Sequence, residues 1–240
     1  MKIIDQSHEI LSLPDNLLGM IEQCGRTCYK SENKIGCTMP KYVSEDVDFC
    51  SGTGVGCDDT ECHYHSSHKF VKMIRDKGHH AMLEFGGNIT VRFITNRGVT
   101  HELVRHRLFS FAQESTRYVR YDGEMEFIRP VWCSDELIGI NWKGLRTRNL
   151  TKQEIKWLDA CYNAEVSYQM LLEDGWRPEQ AREVLPNSVK TEIVVKGNSR
   201  QWRHALKLRT SKKAHPQIRS LILPLLTELK EKVPIIFDDI

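Results

Sequence analysis

The stretch RHRLFSFAQESTRY, from Arg105 to Tyr118, sets the hardest condition on the fold. It mixes cations with apolar residues in a way that a plain solvated surface does not need. The pattern predicts a helix over 98–108. At about 100° per residue, Val99, Glu102, Leu103, His106 and Arg107 fall on one side. His101, Val104, Arg105 and Leu108 fall on the other. Apolar residues all round a helix are the mark of a buried one. A buried guanidinium needs a partner, because an uncompensated buried charge is strongly destabilising. Arg105 and Arg107 point in nearly opposite directions on this wheel, so two separate anions or carboxylates are expected. Residues 110–117 then add hydroxyls, an amide and backbone N–H groups beside Arg117, the mixture that phosphate recognition uses. Internal ion pairs to nearby glutamates are the plain alternative.

Arg209 raises the same question from another segment. In a helix over 198–209, Trp202, Ala205 and Leu206 form an apolar stripe, with Arg200, Arg203, His204 and Lys207 opposite. Arg209 falls back into the middle of the apolar stripe. It stands at the helix C-terminus, where a cation is favoured. It either meets an inward partner or snorkels outward. Arg182 borders the apolar face of Ala181 and Leu185 and poses the question less strongly.

Around these segments the chain reads as α+β. Further helices are expected over 14–29, 68–77, 151–174, 178–185 and 216–232, with Pro224 a candidate kink in the last. The helix over 151–174 opens on the capping box Thr151-Lys-Gln-Glu154 and closes at Gly175. Alternation predicts strands over 2–4, 88–95, 117–121, 126–129 and 189–195, and 134–150 reads as loop. With 240 residues and no internal repeat, one helix-rich domain over 1–240 is expected.

Residues 33–63 stand apart, rich in Gly, Cys, Asp and Thr without a steady period, and read as an insertion. Cys50, Cys57, Cys62 and His63 are zinc-ligand types. Their spacing fits no usual paired pattern, so a surface hairpin with reduced thiols is the favoured reading and no metal is expected. The N-terminus lacks a charged segment followed by an apolar one, and the apolar run 221–226 is too short for a bilayer. A cytoplasmic, non-membrane protein is expected, with its eight cysteines reduced. The net charge of +2 decides nothing about nucleic acid. The basic run 196–213 would suit nucleic-acid binding, but Arg209 leaves its basic face, and no nucleic-acid partner is expected.

Arg105-His106-Arg107, seven residues and then Ser115, followed by Thr116-Arg117-Tyr118, resembles the signature of the flavin-dependent thymidylate synthases. "GHHAMLEF" (78–85), "AREVLP" (181–186), "GNSRQWRHALKLR" (197–209) and His215 extend the likeness over 68–225. The resemblance implies an α+β fold around a central antiparallel sheet. It implies reductive methylation of dUMP to dTMP, with methylenetetrahydrofolate giving the one-carbon unit and NADPH the reducing equivalents through FAD. It also implies a homotetramer with active sites where subunits meet.

By the same resemblance, His79, Arg105, His106, Arg107, Gln113, Asn198, Arg200 and His204 contact FAD. Glu102, Arg105, Gln113, Glu114, Ser115, Thr116, Arg117, Arg182 and Arg209 contact dUMP, with Ser115 and Arg117 nearest the phosphate. Ser115 and Arg209 are the catalytic positions, Arg209 polarising the uracil ring. A cation held against the ring stabilises the enolate-like charge that must develop at a poorly nucleophilic carbon. No cysteine nucleophile is required. This sequence departs from the family's frequent residues at Ala81, Glu102, Ala112, Gln113 and His204.

Overall fold

The computed structural model describes residues 1–36, 66–139 and 150–240. Cys50, Cys57, Cys62 and His63, and most of the expected insertion, lie outside the described residues. Among the described residues no group of three or more His, Cys, Asp or Glu could hold a metal ion. No described helix is long and apolar enough to cross a membrane.

The elements run β1 (Lys2–Ile4), β2 (Ser7–Ser12), α1 (Leu17–Tyr29), α2 (Ser66–Asp76), β3 (Asn88–Asn96), α3 (Arg97–Leu103), β4 (Ser110–Gln113) and β5 (Glu126–Ile128). They continue with α4 (Lys152–Glu173), α5 (Pro178–Ala181), β6 (Lys190–Asn198), α6 (Ser199–Arg209), α7 (Pro216–Lys232) and α8 (Pro234–Phe237). The expected α+β class holds. Four strands form an antiparallel sheet in the order β2-β3-β6-β4, and β1 pairs in parallel with β5, placing Ile3 opposite Phe127. In β3 every second residue is buried, from Ile89 through Val91 and Phe93 to Thr95. In β6 the buried set is Thr191, Ile193, Val195 and Gly197. That period of two is what a sheet with one packed face requires.

The chain's contacts gather into two compact units. The first comprises Met1–Glu9, Val91–Val195 and Arg209–Leu223. Its core brings Ile3, Met125, Phe127, Leu158, Tyr168 and Val189 together. Helix α4 opens on the expected capping box. The Thr151 hydroxyl accepts from Glu154 N at 3.2 Å, and the Glu154 carboxylate accepts from Thr151 N at 2.8 Å and from Ser134 N at 2.7 Å. Those donors hold the Glu154 carboxyl below the usual carboxylate range, the Ser134 N–H most of all. Gly175, at φ +93°, ends the helix as expected.

The second unit comprises Ile10–Thr90, Lys196–Leu208 and Pro224–Ile240. Helices α1 and α2 cross so closely that a Cβ on Gly25 would sit 2.5 Å from Phe70 Cε1. Trp202, on the stripe expected for α6, is buried and its indole N–H donates to Ile89 O at 3.1 Å.

Three expectations are corrected. The helix expected over 98–108 ends at Leu103. Continuation would need Glu102 O to accept from His106 N, but Arg209 Nη2 donates to that carbonyl at 3.1 Å, and His106 N turns to Leu103 O. Arg105, Arg107 and Leu108 therefore stand on an exposed turn, with Leu108 81% accessible, and not on two faces of a buried helix. The strand expected over 117–121 is a turn closed by Tyr118 N and Val119 N on Ser115 O. Arg203 does not lie on a solvated face. Asp239 folds over it and takes Nη1 and Nη2, so Arg203 is buried. That guanidinium holds the Asp239 carboxyl well below the usual range.

Candidate active site

Arg209, the last residue of α6, is the cation whose inward position the stripe predicts. Its Nη1 donates to Glu102 Oε2 at 2.6 Å, its Nη2 to Glu102 O at 3.1 Å, and its Nε to His106 Nε2 at 3.0 Å. It neither snorkels nor waits alone. Helix α3 supplies Glu102 because its N-cap, Asn96, accepts from Val99 N at 2.8 Å and sets the first turn. Arg209 is thus tied to the side chain of His106 within the RHR sequence. Charge-assisted bonds of this kind fix a guanidinium's plane.

Arg105, Arg107 and Arg117 make no ion pair among the described residues, and all three are exposed. Arg117 lies over the ring of its neighbour Tyr118, 5.2 Å from the centroid. Arg182 reaches Thr116 Oγ1 at 3.5 Å, so two expected nucleotide contacts meet, and Thr116 is buried. Gln113 Nε2 is turned to Thr100 Oγ1 at 3.0 Å. Glu114 is committed within the unit: Tyr121 OH donates to Oε1 at 2.7 Å, and Lys190 Nζ stands 3.7 Å from Oε2. Burial, and then Glu114, push the Tyr121 phenol well above its ordinary value, while Arg97 acts in the opposite sense. Ser115 Oγ lies 3.4 Å from Arg117 N.

Arg97 was not among the expected site residues. Its Nη1 is buried and has no hydrogen-bond partner among the described residues. A buried, unsatisfied cationic nitrogen is costly, and an anion is the ligand that relieves it. The sequence signal was an arginine directly after the buried-face alternation of β3.

A cavity of about 790 Å³ opens in the same unit, with Glu102, Pro130, Trp132, Trp157 and His215 on its wall. Cys133 and Cys161 also line it. Burial pushes the Cys161 thiol up to about 11 and raises Cys133 as well. Both are neutral thiols at physiological pH and poor nucleophiles.

A second group lies in the other unit. Tyr29 OH and His79 Nδ1 are 3.0 Å apart. Arg200 Nη1 donates to Glu84 Oε1 at 2.6 Å, a carboxylate the sequence reading passed over although it stands within "GHHAMLEF". Asn198 Oδ1 accepts from Gln201 N at 3.0 Å and caps α6. Next to it Ser199 Oγ is fully buried and has no hydrogen-bond partner among the described residues. His204 is exposed on the same helix. An orphaned buried hydroxyl at the first residue of α6, beside Arg200, fits an anionic dinucleotide, since a helix N-terminus favours phosphate.

Comparison with known proteins places the chain in a family. Residues 10–235 match the family model described as thymidylate synthase complementing protein. The chain is 36% identical over 174 residues to a flavin-dependent thymidylate synthase of Corynebacterium efficiens, covering 71% of this chain and 68% of the relative. It is 34% identical to one from Corynebacterium aurimucosum, over 92% of this chain and 78% of the relative. It is also 34% identical to one from Mycolicibacterium gilvum, over 94% and 80%. With the family model matching residues 10–235, nearly the whole chain, the protein belongs to the thymidylate synthase complementing protein family.

Proposed function

We propose that this protein is a flavin-dependent thymidylate synthase, a methyltransferase that converts dUMP to dTMP. Methylenetetrahydrofolate is the one-carbon donor and NADPH the reductant. The observation that carries the reading is Arg209, held between Glu102 and His106 by three hydrogen bonds. A guanidinium fixed in advance stabilises developing charge without reorganising during the reaction.

FAD supplies the redox chemistry when bound. The chain's own residues supply binding and orientation. In the second unit, His79, Asn198, Ser199, Arg200 and His204 offer donors and a cation for its phosphates and ring; in the first, Arg105, His106, Arg107 and Gln113 offer FAD contacts of their own. Arg97, Arg117 and Arg182, with Ser115 and Thr116, hold the nucleotide phosphate. The chain works as one cytoplasmic catalytic domain carrying an insertion near 33–63. Four copies assemble, with active sites where subunits meet. The exposed turn bearing Arg105, Arg107 and Leu108, and the separate exposed turn bearing Tyr118, support that arrangement, because exposed apolar residues suit a protein interface.

The test is the visible spectrum of the protein after mixing with FAD and desalting, with and without dUMP, followed by assay of dTMP formation. Retained flavin bands that shift on adding dUMP, and dTMP formed only when folate, NADPH and FAD are all present, are expected. A folded protein that retains no flavin under either condition would overturn the reading.

A further inference from the structure

The turn that carries Ser115, Thr116 and Arg117 is closed by a side-chain bond that the proposed function does not use. Tyr118 N and Val119 N donate to Ser115 O at 3.1 and 2.9 Å, which shapes the turn but does not hold it to the sheet. Residues 117–120 are exposed, so the core does not fix them either. The two residues that flank the six-residue span 115–120 meet instead. Tyr121 OH donates to Glu114 Oε1 at 2.7 Å.

Both ends of that clasp are anchored. Glu114 N donates to Glu192 O at 2.9 Å, and Glu192 N donates to Glu114 Oε2 at 3.3 Å. Main chain and side chain are thus both pinned to β6. Lys190 Nζ stands 3.7 Å from the same Oε2. At the other end, Tyr121 N donates to Tyr168 OH at 3.4 Å, and the two ring centroids lie 5.8 Å apart. Tyr168 is fully buried on α4. A span whose ends are free samples many shapes, and tying the ends removes that freedom before a ligand arrives.

The resemblance places Glu114 among the dUMP contacts, but a carboxylate accepts hydrogen bonds and cannot donate one to a phosphate. Both of its oxygens are occupied inside the protein. Its neighbours Ser115, Thr116 and Arg117 are the donors. We infer that Tyr121 is a positioning residue: its hydroxyl, acting through Glu114, holds the turn 115–117 in the shape that receives the phosphate of dUMP. The inference rests on the function proposed above and deepens it, since it assigns a role to a side chain outside the expected site. Thr116 lies 3.5 Å from Arg182 Nη1, so release of the clasp also loosens that pair of phosphate groups.

The experiment titrates the FAD-loaded full chain with dUMP and with deoxyuridine, which lacks the phosphate. The proteins are the wild type, Tyr121→Phe, Glu114→Ala and the double variant. Phenylalanine keeps the ring on Tyr168 and removes only the hydroxyl, and equal flavin content checks folding. Tyr121→Phe should weaken dUMP binding by about tenfold, the upper range for one lost hydrogen bond, and leave deoxyuridine binding unchanged. The double variant should bind dUMP no more weakly than Glu114→Ala alone, because the two side chains act as one unit. A purely structural role would weaken both ligands alike, and that result overturns the inference while sparing the function. Unchanged dUMP affinity in Tyr121→Phe, or additive losses in the double variant, also overturns it. A wild-type protein that binds FAD but no dUMP overturns the inference together with the function.

Discussion

Arg209 and Arg97 are two guanidiniums with opposite local circumstances. Arg209 gives three of its five N–H donors to Glu102 and His106, which suits it to an electrostatic and positional role. Arg209→Ala should retain the fold and flavin content but nearly abolish dTMP formation in a steady-state assay; wild-type turnover would refute the role. Arg97 has a buried Nη1 with no hydrogen-bond partner among the described residues, which suits it to an anion. Arg97→Ala should weaken dUMP binding by about 2 kcal/mol, the scale of a charge-assisted hydrogen bond, while leaving uridine binding unchanged in calorimetry. An equal loss for uridine would remove the phosphate from the argument. These two residues also mark what a sequence can tell. Arg209 was legible because a local helical stripe exposes an out-of-place cation. Its partner Glu102 lies 107 residues away, and no local pattern connects them. Arg97 was illegible for a related reason: whether one nitrogen is buried depends on packing from Asn187, whose carbonyl accepts from Arg97 N, and from the Tyr121 region.

At the scale of elements, local chemistry decided most of the helices and little of the sheet. The capping box of α4 sits within four residues and was readable directly. Glu154 is the stronger half of it, and its lowered carboxyl gives a signed prediction. A carboxylate with a depressed folded value contributes stability above its unfolded value of about 4.3, and that contribution is lost as pH falls through the folded value. Glu154→Gln should therefore be less stable than wild type at neutral pH by about 1 kcal/mol, and the gap should close on acidification in urea titrations. A gap independent of pH would rule out the carboxylate as the source. Gly25 tests a contact between elements. Alanine would favour helix α1 by about 1 kcal/mol, yet its Cβ would meet the Phe70 ring at 2.5 Å. Phe70 is buried, so the ring has little room to yield, and overpacking costs about 1–3 kcal/mol. Gly25→Ala should lower the melting temperature; a raised one would show that α1 and α2 separate easily. The strands β2 and β4 were missed because six and four residues carry too little alternation to stand out. The helix over 98–108 was drawn too long because the competitor for its carbonyl, Arg209, arrives from a distant segment.

At the scale of the whole molecule, the exposed turn after α3 carries the argument. Leu108 and Tyr118 are 81% and 76% accessible, and Arg105, Arg107 and Arg117 are exposed and make no ion pair among the described residues. Apolar residues beside cations suit a shared nucleotide site, in which a neighbouring copy covers the apolar groups and ligand phosphates answer the cations. If the site is shared, Arg117 of one copy and Arg209 of another serve the same dUMP. Two inactive variants, Arg117→Ala and Arg209→Ala, should then complement each other. Mixed during unfolding and refolding in equal amounts, they should assemble oligomers in which about one quarter of the sites, by random pairing across a symmetric interface, hold both native arginines. Turnover of dUMP should rise from near zero in either parent to about that fraction of wild type. If both arginines of a site came from one chain, every site in the mixture would lack one of them. Activity would then stay at the level of the parents whatever the mixing ratio, and size-exclusion chromatography would show whether mixed oligomers had formed.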